Sequence, residues 1–490
     1  MTATNSERTI HRGRTAIERH ACSQPIRLAL RDTIIKPELS FFDYGCGRGA
    51  DVSFLAGQGV TASGFDPCFF PQNSKTEAHV VNLGYVINVI ENPDERITVL
   101  KDAFALAQLC LIVAAQTKSA AISGATAFND GCVTKRNTFQ KYYGQSELRE
   151  LLQQVLSVAP YSAGPGIFYV FKDEQARNAY LAVRYDSTRL LRFNSNRMRQ
   201  HQPVQKLREQ RLQNSAAVGR LIDWVSMHAR FPSEFEFPAL GKVLALGVSH
   251  KFLQEWVFAN LDQEVLATAR KIRQQDILLM LALTRFDGRP KFSALPDSTK
   301  HDIKSFFTSY QKACAKADRL LFSVGNVDTI RKEIERSEVG KKLPDSLYVH
   351  TSAIPYLPLS LQVFIGCGRA VVGDMEGDVI VKIPKKATSV SFLLYREFDN
   401  DPHPELQLAI KVDLRSGHSY PRDYSKSDNP PLLHRKETFV TKDYPQYAEF
   451  CRVTEHEEKL GLLNRNDIGN RQGWRKALTA VGDNAQPPTA

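Results

Sequence analysis

The chain has 490 residues, of which 42% are hydrophobic, and a formal net charge of +11. Because one hydrophobic core rarely organises more than about 250–300 residues, this length predicts two to four domains. The longest apolar run, 277–283, is too short to cross a bilayer, and no signal segment is recognisable, so we expect neither a membrane protein nor a secreted one. The eight cysteines have no metal-site or disulfide-framework spacing, which argues against disulfides and structural zinc.

Basic residues are concentrated in two stretches. The first is an N-terminal arm, 1–35, whose first twenty residues include Arg8, His11, Arg12, Arg14 and Arg19. A second run, 184–211, contains eight: Arg184, Arg189, Arg192, Arg197, Arg199, Lys206, Arg208 and Arg211. Such runs are typical of a solvated helix or linker face and also of contact with a phosphate backbone, and the sequence leaves both interpretations open.

The pattern of apolar residues predicts an α/β protein with several modules. Segment 36–172 alternates strand-like runs with helical patterns, which predicts a Rossmann-like domain with a parallel sheet of the class I methyltransferase type. Segment 173–338 is helical and charged. Short strand candidates separated by Pro, Gly and Asp predict a mixed or mostly β module at 339–440, and 441–490 predicts helices followed by a polar tail.

A nucleotide cradle is predicted at the start of the Rossmann-like segment, which reads FFDYGCGRG. Gly45, Gly47 and Gly49 permit a tight turn and a close approach of the backbone to a ligand. Asp43 precedes this turn, and Asp66 ends the second predicted strand, where a carboxylate can accept hydrogen bonds from ribose hydroxyls. The arrangement resembles motifs one and two of methyltransferases that use S-adenosylmethionine; the alternative is a Rossmann-like domain that binds another nucleotide, or none.

The acceptor motifs of DNA methyltransferases are missing where they would be expected. The strand NLGYVINV contains Asn82 and Asn88, but neither the Pro-Pro-aromatic motif of amino-methyltransferases nor the Pro-Cys nucleophile of cytosine C5 enzymes. The sequence NPPL at 429–432 is only a superficial match, because it lies far downstream of the glycines and has no stacking aromatic. These absences argue against a conventional DNA methyltransferase.

The end of the second strand suggests another chemistry. GFDPCF, at 64–69, resembles the Gly-x-Asp-Pro-Tyr-His motif of uracil-type DNA glycosylases. An aspartate at this strand end can orient water and stabilise the oxocarbenium ion that forms as a flipped base leaves. We therefore take Asp66 as the first candidate for the catalytic carboxylate and Asp43 as the second.

Several motifs in the same order resemble one bacterial family. They include HRGRTAIERHACSQPIRLAL, FDYGCGRGADV, VVNLGYVINVIENPDER, NTFQKYYGQSELRELL, REFDNDPHPEL and NPPLLHRKETFV. The resemblance is to the DNA phosphorothioation-associated methyltransferases, and it implies a bacterial protein connected with DNA modification and phage defence. The sequence is also similar to antiphage DNA glycosylases that remove α-glucosylated hydroxymethylcytosine from T-even phage DNA and leave abasic sites.

Two of these motifs carry candidate DNA-contacting side chains. In NTFQKYYGQSEL, Gln140 could read a base edge, Tyr142 could stack on it, and Lys141 could meet a phosphate. The alternative is an ordinary loop with packing aromatics. In NPPLLHRKE, Arg435 and Lys436 are candidate phosphate contacts.

Nearby histidines have simpler interpretations. His434, after an apolar run, is more typical of a structural residue than of a catalyst. His403 lies in the proline turn DPHPEL and is a candidate polar contributor.

These observations lead to a first hypothesis and two alternatives. The first is a cytoplasmic antiphage glycosylase that hydrolyses the N-glycosidic bond of a modified cytosine in phage DNA, with no metal or other cofactor required. One alternative is a DNA methyltransferase that binds S-adenosylmethionine through the three glycines and Asp66. The other is a non-catalytic DNA-binding subunit. The sequence predicts no membrane partner and identifies no protein partner.

Overall fold

The computed structural model describes residues 10–16, 19, 21–117, 125–185, 212, 215–375 and 377–481. The chain divides into two compact units, Met1–Arg177 together with Val324–Ala490, and Asn178–Ser323. The predicted modules 36–172 and 339–440 both belong to the first unit. In the part of the chain that the structure describes, no helix is long and apolar enough to cross a membrane.

The first unit begins with an α/β domain. Its strands are β1 (Phe41–Tyr44), β2 (Ala62–Phe65), β3 (Ala78–Gly84), β4 (Ala107–Ala114), β5 (Thr126–Phe128), β6 (Gly131–Val133), β7 (Phe139–Gln140), β8 (Tyr161–Gly164) and β9 (Ile167–Phe171). Its helices are α1 (Gln24–Arg31), α2 (Ala50–Gly57), α3 (Pro93–Leu106) and α4 (Gln145–Leu156), and α5 (Glu174–Arg184) follows. Six strands form the main sheet in the order β2-β1-β3-β4-β9-β8, and β5, β6 and β7 form a small antiparallel sheet.

The main sheet is parallel from β2 to β4, but its last two strands differ from the sequence prediction. There β9 runs antiparallel to both β4 and β8. Only Pro165 and Gly166 separate β8 from β9, and Gly166 has a φ of +72°. A connection this short can join only antiparallel strands, because a parallel pair needs a crossover of a dozen residues or more.

The centre of this sheet is strongly apolar. All four residues of β1 are buried, and a core cluster that includes Phe42, Leu83, Leu111 and Phe168 fills one face of the sheet, against α3 and α4. A parallel sheet covered on its faces buries even the polar positions of its strands. Asp43 and Asn82, which are both buried, are therefore held in an apolar surrounding.

The second unit is helical, as the sequence predicted for most of 173–338. It contains α6 (Ala216–His228), α7 (Leu240–Leu244), α8 (His250–Ala259), α9 (Gln263–Leu283), α10 (Asp297–Phe307) and α11 (Tyr310–Ser323). Among its buried polar groups, Arg230 pairs with Glu236 and Asp302, and Arg273 lies 2.6 Å from Asp302. Such pairing is what makes charges tolerable in a helical core.

The C-terminal part of the first unit contains an antiparallel sheet and four helices. Its strands, in spatial order, are β10 (Lys341–Lys342), β11 (Ser346–His350), β12 (Asp378–Pro384), β13 (Ser389–Tyr395), β14 (Leu406–Asp413) and β15 (Ser419–Asp423). Its helices are α12 (Val327–Arg336), α13 (Leu359–Val372), α14 (Tyr447–Lys459) and α15 (Arg471–Val481). Helix α13 packs on this sheet and also against β8 of the Rossmann-like domain, where Asp374 N donates to Ala163 O at 3.1 Å.

Close packing of α13 on β13 generates a stability prediction. A Cβ at Gly368 would collide with Cγ1 of Val390, which is fully buried, whereas a Cβ at Gly57 in α2 meets nothing within 4 Å. We expect Gly368→Ala to lower the free energy of unfolding by about 1–3 kcal/mol through overpacking. Gly57→Ala should leave it unchanged or raise it slightly. Urea denaturation of both variants tests this, and equal stabilities would contradict it.

Candidate functional site

A cavity of about 440 Å³ lies at the carboxyl ends of β1, β2 and β3. Strand β1 pairs with β2 on one side and with β3 on the other, so the chain order reverses at β1. In open α/β sheets, ligands bind outside the strand ends at such a reversal. The cavity therefore occupies the position that the fold provides for a ligand.

The predicted glycine turn forms one wall of this cavity. Gly45, Gly47 and Gly49 have φ values of +87°, +53° and +78°, which side chains with a Cβ rarely adopt. A Cβ at Gly45 would also collide with Cγ2 of Val86. The turn thus needs glycine both for its backbone conformation and for the space beside the cavity.

Asp66 lies at the end of β2, as predicted, and fixes the shape of the turn. Its Oδ2 accepts a hydrogen bond from Gly47 N at 3.0 Å. Its Oδ1 accepts from Cys68 N at 2.8 Å and from Phe69 N at 3.1 Å. Backbone donors thus already engage both carboxylate oxygens of Asp66. This arrangement suits a fixed negative charge or an acceptor for a ligand hydroxyl, and it suits a base that must move a proton less well.

Asp43 also lines the cavity, but in a different environment. It is buried, and its Oδ1 accepts a hydrogen bond from Asn82 Nδ2 at 2.8 Å. Burial raises the pKa of Asp43 to about 7, and the neighbouring carboxylates of Asp51 and Asp66 act in the same direction, while the Asn82 bond opposes them. A carboxyl group that titrates near neutrality inside a cleft has the property expected of a general base.

Amide side chains complete the inner part of the cavity. Asn82 Oδ1 and Asn88 Oδ1 are buried acceptors with no hydrogen-bond donor among the described residues. Asn88 Nδ2 donates to Gln140 Oε1 at 3.0 Å. Gln140, the residue predicted to read a base edge, therefore lies in the cavity wall. Because a buried acceptor without a partner is costly, the two asparagine oxygens are suited to a ligand that donates hydrogen bonds.

The N-terminal segment covers part of the cavity. The Arg12 guanidinium donates to Glu91 at 2.8 Å and 3.0 Å and to Glu95 at 2.6 Å and 2.7 Å. Further along the segment, Ser23 N donates to Asp51 Oδ1 at 2.7 Å. Arg12 of the predicted basic arm therefore pairs within the protein, and both Arg8 of the arm and 186–211 of the second basic run lie outside the described residues.

Two other predicted contacts lie beside Gln140. Lys141 is 2.9 Å from Asp130 and 3.0 Å from Glu147, so its charge is already paired. Tyr142 is half-buried next to it. Of this predicted group, only Gln140 lines the cavity.

Arg435 and Lys436 lie in the C-terminal module, outside this cavity. Lys436 is buried and donates to the carbonyl oxygens of Phe398 and Asp401, the latter at 2.7 Å. Burial lowers the pKa of Lys436 to about 8. This placement corrects the phosphate contact predicted for Lys436, because its ammonium faces the protein interior. Arg435 pairs with Glu458.

Sequence reasoning missed three cavity residues. Asp51, in α2, accepts from the backbone of the N-terminal segment. Lys75 contacts the Tyr44 hydroxyl and lies 4.6 Å from the centre of that ring, although nothing in its local sequence marks it. Cys46 follows Gly45, but burial raises the pKa of its thiol to about 12, which makes it a poor nucleophile.

Two solved structures resemble part of the chain. No protein-family model and no curated protein matches the chain. A 1,6-didemethyltoxoflavin-N1-methyltransferase from Burkholderia thailandensis, solved with S-adenosylhomocysteine, is 13% identical over 30% of this chain and 79% of its own, with a TM-score of 0.24. The N-terminal domain of EvdMO1, with S-adenosylhomocysteine bound, is 11% identical over 31% and 80%, with a TM-score of 0.20. Both likenesses are remote and cover less than a third of this chain.

The environment of Asp43 predicts that the difference in stability between the wild type and Asp43→Asn depends on pH. Its pKa rises from 3.8 to about 7 on folding, so the carboxyl group favours the native state below about pH 4 and this contribution is lost as the pH rises through about 7. Asp43→Asn keeps an acceptor for Asn82 but does not titrate.

We therefore expect the stability of Asp43→Asn relative to wild type to increase by about 3 kcal/mol between about pH 5 and about pH 8. Urea denaturation at both pH values measures this. In contrast, Asp66→Asn should lose backbone hydrogen bonds and be destabilised at both. A constant difference between Asp43→Asn and wild type would contradict the assignment.

Proposed function

We propose that the protein is a DNA glycosylase of bacterial antiphage defence that excises a modified cytosine, of the glucosylated hydroxymethyl class, from phage DNA. The observation that carries this proposal is the position of Asp43, a carboxyl group with a pKa near 7, in a cavity at the carboxyl edge of the sheet. The substrate class comes from the resemblance to antiphage glycosylases described above.

The chemistry of base excision suits the two aspartates. Above about pH 7, Asp43 is ionised and can accept a proton from a water molecule that attacks C1′. The C1′–N1 bond breaks with its electron pair on the base, the water oxygen bonds to C1′, and the proton taken up by Asp43 passes to the departing base. Asp66, held by three backbone donors, supplies negative charge toward the oxocarbenium ion.

The amides in the cavity suit recognition of a cytosine. Cytosine presents an exocyclic N4 amino group, which is a hydrogen-bond donor. Asn82 Oδ1 and Asn88 Oδ1 are acceptors in need of donors, and Gln140 lies beside Asn88. A base would have to leave the duplex to reach these groups, as in other enzymes that act on a single base.

A specific observation favours a second candidate, methyl transfer from S-adenosylmethionine. The glycine turn and the strand-end Asp66 provide the backbone shape and the acid that a nucleoside cofactor uses. However, Cys46 is a poor nucleophile for a C5 mechanism, and NPPL at 429–432 pairs with residues 405 and 470 of the C-terminal module rather than lining the cavity. Methyl transfer therefore remains the alternative.

Base release from defined DNA tests the proposal. Purified full-length protein is incubated, without S-adenosylmethionine, with glucosylated hydroxymethylcytosine DNA and with the same DNA unmodified. We expect free modified base and alkali-labile sites from the first DNA only. Asp43→Asn should lower the rate by about 10²–10⁴-fold, because a general base contributes about that much. The matched control Asp102→Asn, an exposed position on α3, should retain the wild-type rate.

The outcomes separate the candidates. No base release from either DNA would overturn the glycosylase proposal, and release that survives Asp43→Asn would overturn the role of Asp43. If S-adenosylmethionine raises the melting temperature and its labelled methyl group appears in DNA, the second candidate is correct.

A further inference from the structure

A cluster of histidine, glutamate and tryptophan lies in the C-terminal module, away from the residues that line the cavity. His403 is in the loop between β13 and β14, His434 follows β15, and Glu457 is on α14. Each of these three residues can bring one metal-ligating atom within 4.8 Å of the others. Trp474, on α15, lies over both imidazoles, with ring centres 4.3 Å from His403 and 4.8 Å from His434.

From this cluster we propose that the protein binds one divalent transition-metal ion of the zinc class through His403, His434 and Glu457. Two imidazoles and one carboxylate are a ligand set that zinc uses, with a fourth position for water. Ligands about 2.0–2.2 Å from a tetrahedral ion lie about 3.3–3.6 Å apart, so small side-chain shifts would bring the three ligating atoms to coordination distance.

The protonation pattern at His434 prepares it as a ligand. Its Nε2 lies 2.9 Å from the carbonyl oxygen of Ile468, and such a contact requires the proton to be on Nε2. The lone pair is then on Nδ1, which is buried and has no hydrogen-bond partner among the described residues. Metal-bound histidines commonly donate their other N–H to a backbone carbonyl in this way.

The His403–Glu457 pair is also suited to a cation. His403 Nε2 lies 2.7 Å from Glu457 Oε1, and both side chains are mostly buried. His403 Nδ1, like Nδ1 of His434, has no partner among the described residues. An ion with two positive charges would satisfy the Glu457 carboxylate and the unpartnered Nδ1 of His434 together.

Because the three ligands come from separate segments, an ion would fasten α14 and two loops of the C-terminal module to one another. The role inferred for it is structural and does not depend on the proposed glycosylase activity.

Metal content and Zn²⁺ binding test the proposal on the full-length protein. We expect protein purified without chelator to contain one zinc per chain, and protein stripped by chelator to bind Zn²⁺ at a 1:1 ratio by calorimetry with a rise in melting temperature. His434→Gln should weaken binding by at least about 100-fold, since loss of an outer-shell partner alone costs about 10–100-fold. The exposed His418 provides the matched control, and His418→Gln should bind Zn²⁺ as wild type does.

A second measurement distinguishes the loss of a metal ligand from misfolding of the His434→Gln variant. Co²⁺ bound to the stripped wild-type protein should show the visible absorption of a tetrahedral site, and Glu457→Gln should alter that spectrum. The proposal would be overturned if the wild type failed to bind Zn²⁺. It would also be overturned if Zn²⁺ binding and the Co²⁺ spectrum were unchanged in both His434→Gln and Glu457→Gln.

Discussion

The candidate site depends on a carboxyl group held in the apolar interior of a parallel sheet. Asp43 occupies a strand whose four residues are all buried, so its charged form is poorly solvated by water, and Asn82 donates a hydrogen bond to it. The rest of the cavity is arranged around this group. The backbone turns sharply at Gly45, immediately after the strand, and Asp66 holds the turn in place. A single buried acid thereby acquires a pKa useful for chemistry near neutrality.

Ion pairs hold the basic N-terminal segment at the same edge of the sheet. Arg12 is bound by both Glu91 and Glu95, and Arg19 lies 3.7 Å from Asp51. These pairs place the segment across part of the cavity and neutralise some of the charge that was one candidate for DNA contact. The net charge of +11 already counts these carboxylates, so pairing leaves it unchanged, but Arg12 and Arg19 are engaged within the protein instead of being left for a polyanion.

Local features of the site could be predicted from the sequence, and long-range features could not. The glycine turn and Asp66 were identifiable because tight turns and strand-end acids have short sequence signatures. The antiparallel pairing of β9 with β4 and the burial of Lys436 depend on how distant segments meet, which spacing does not encode. The cluster around His403 shows the same limit, since its members lie 31 and 23 positions apart (434 − 403 and 457 − 434) and no motif links them.

A titration of Asp43 in the folded protein tests the central claim most directly. Infrared difference spectra of wild type against Asp43→Asn isolate the C=O stretch of this one protonated carboxyl group. The account predicts that the band is present at about pH 5, disappears with a midpoint near 7 and is absent from the variant. A band already lost at about pH 5 would show an ordinary, ionised aspartate and would contradict the assignment of Asp43 as the base of this site.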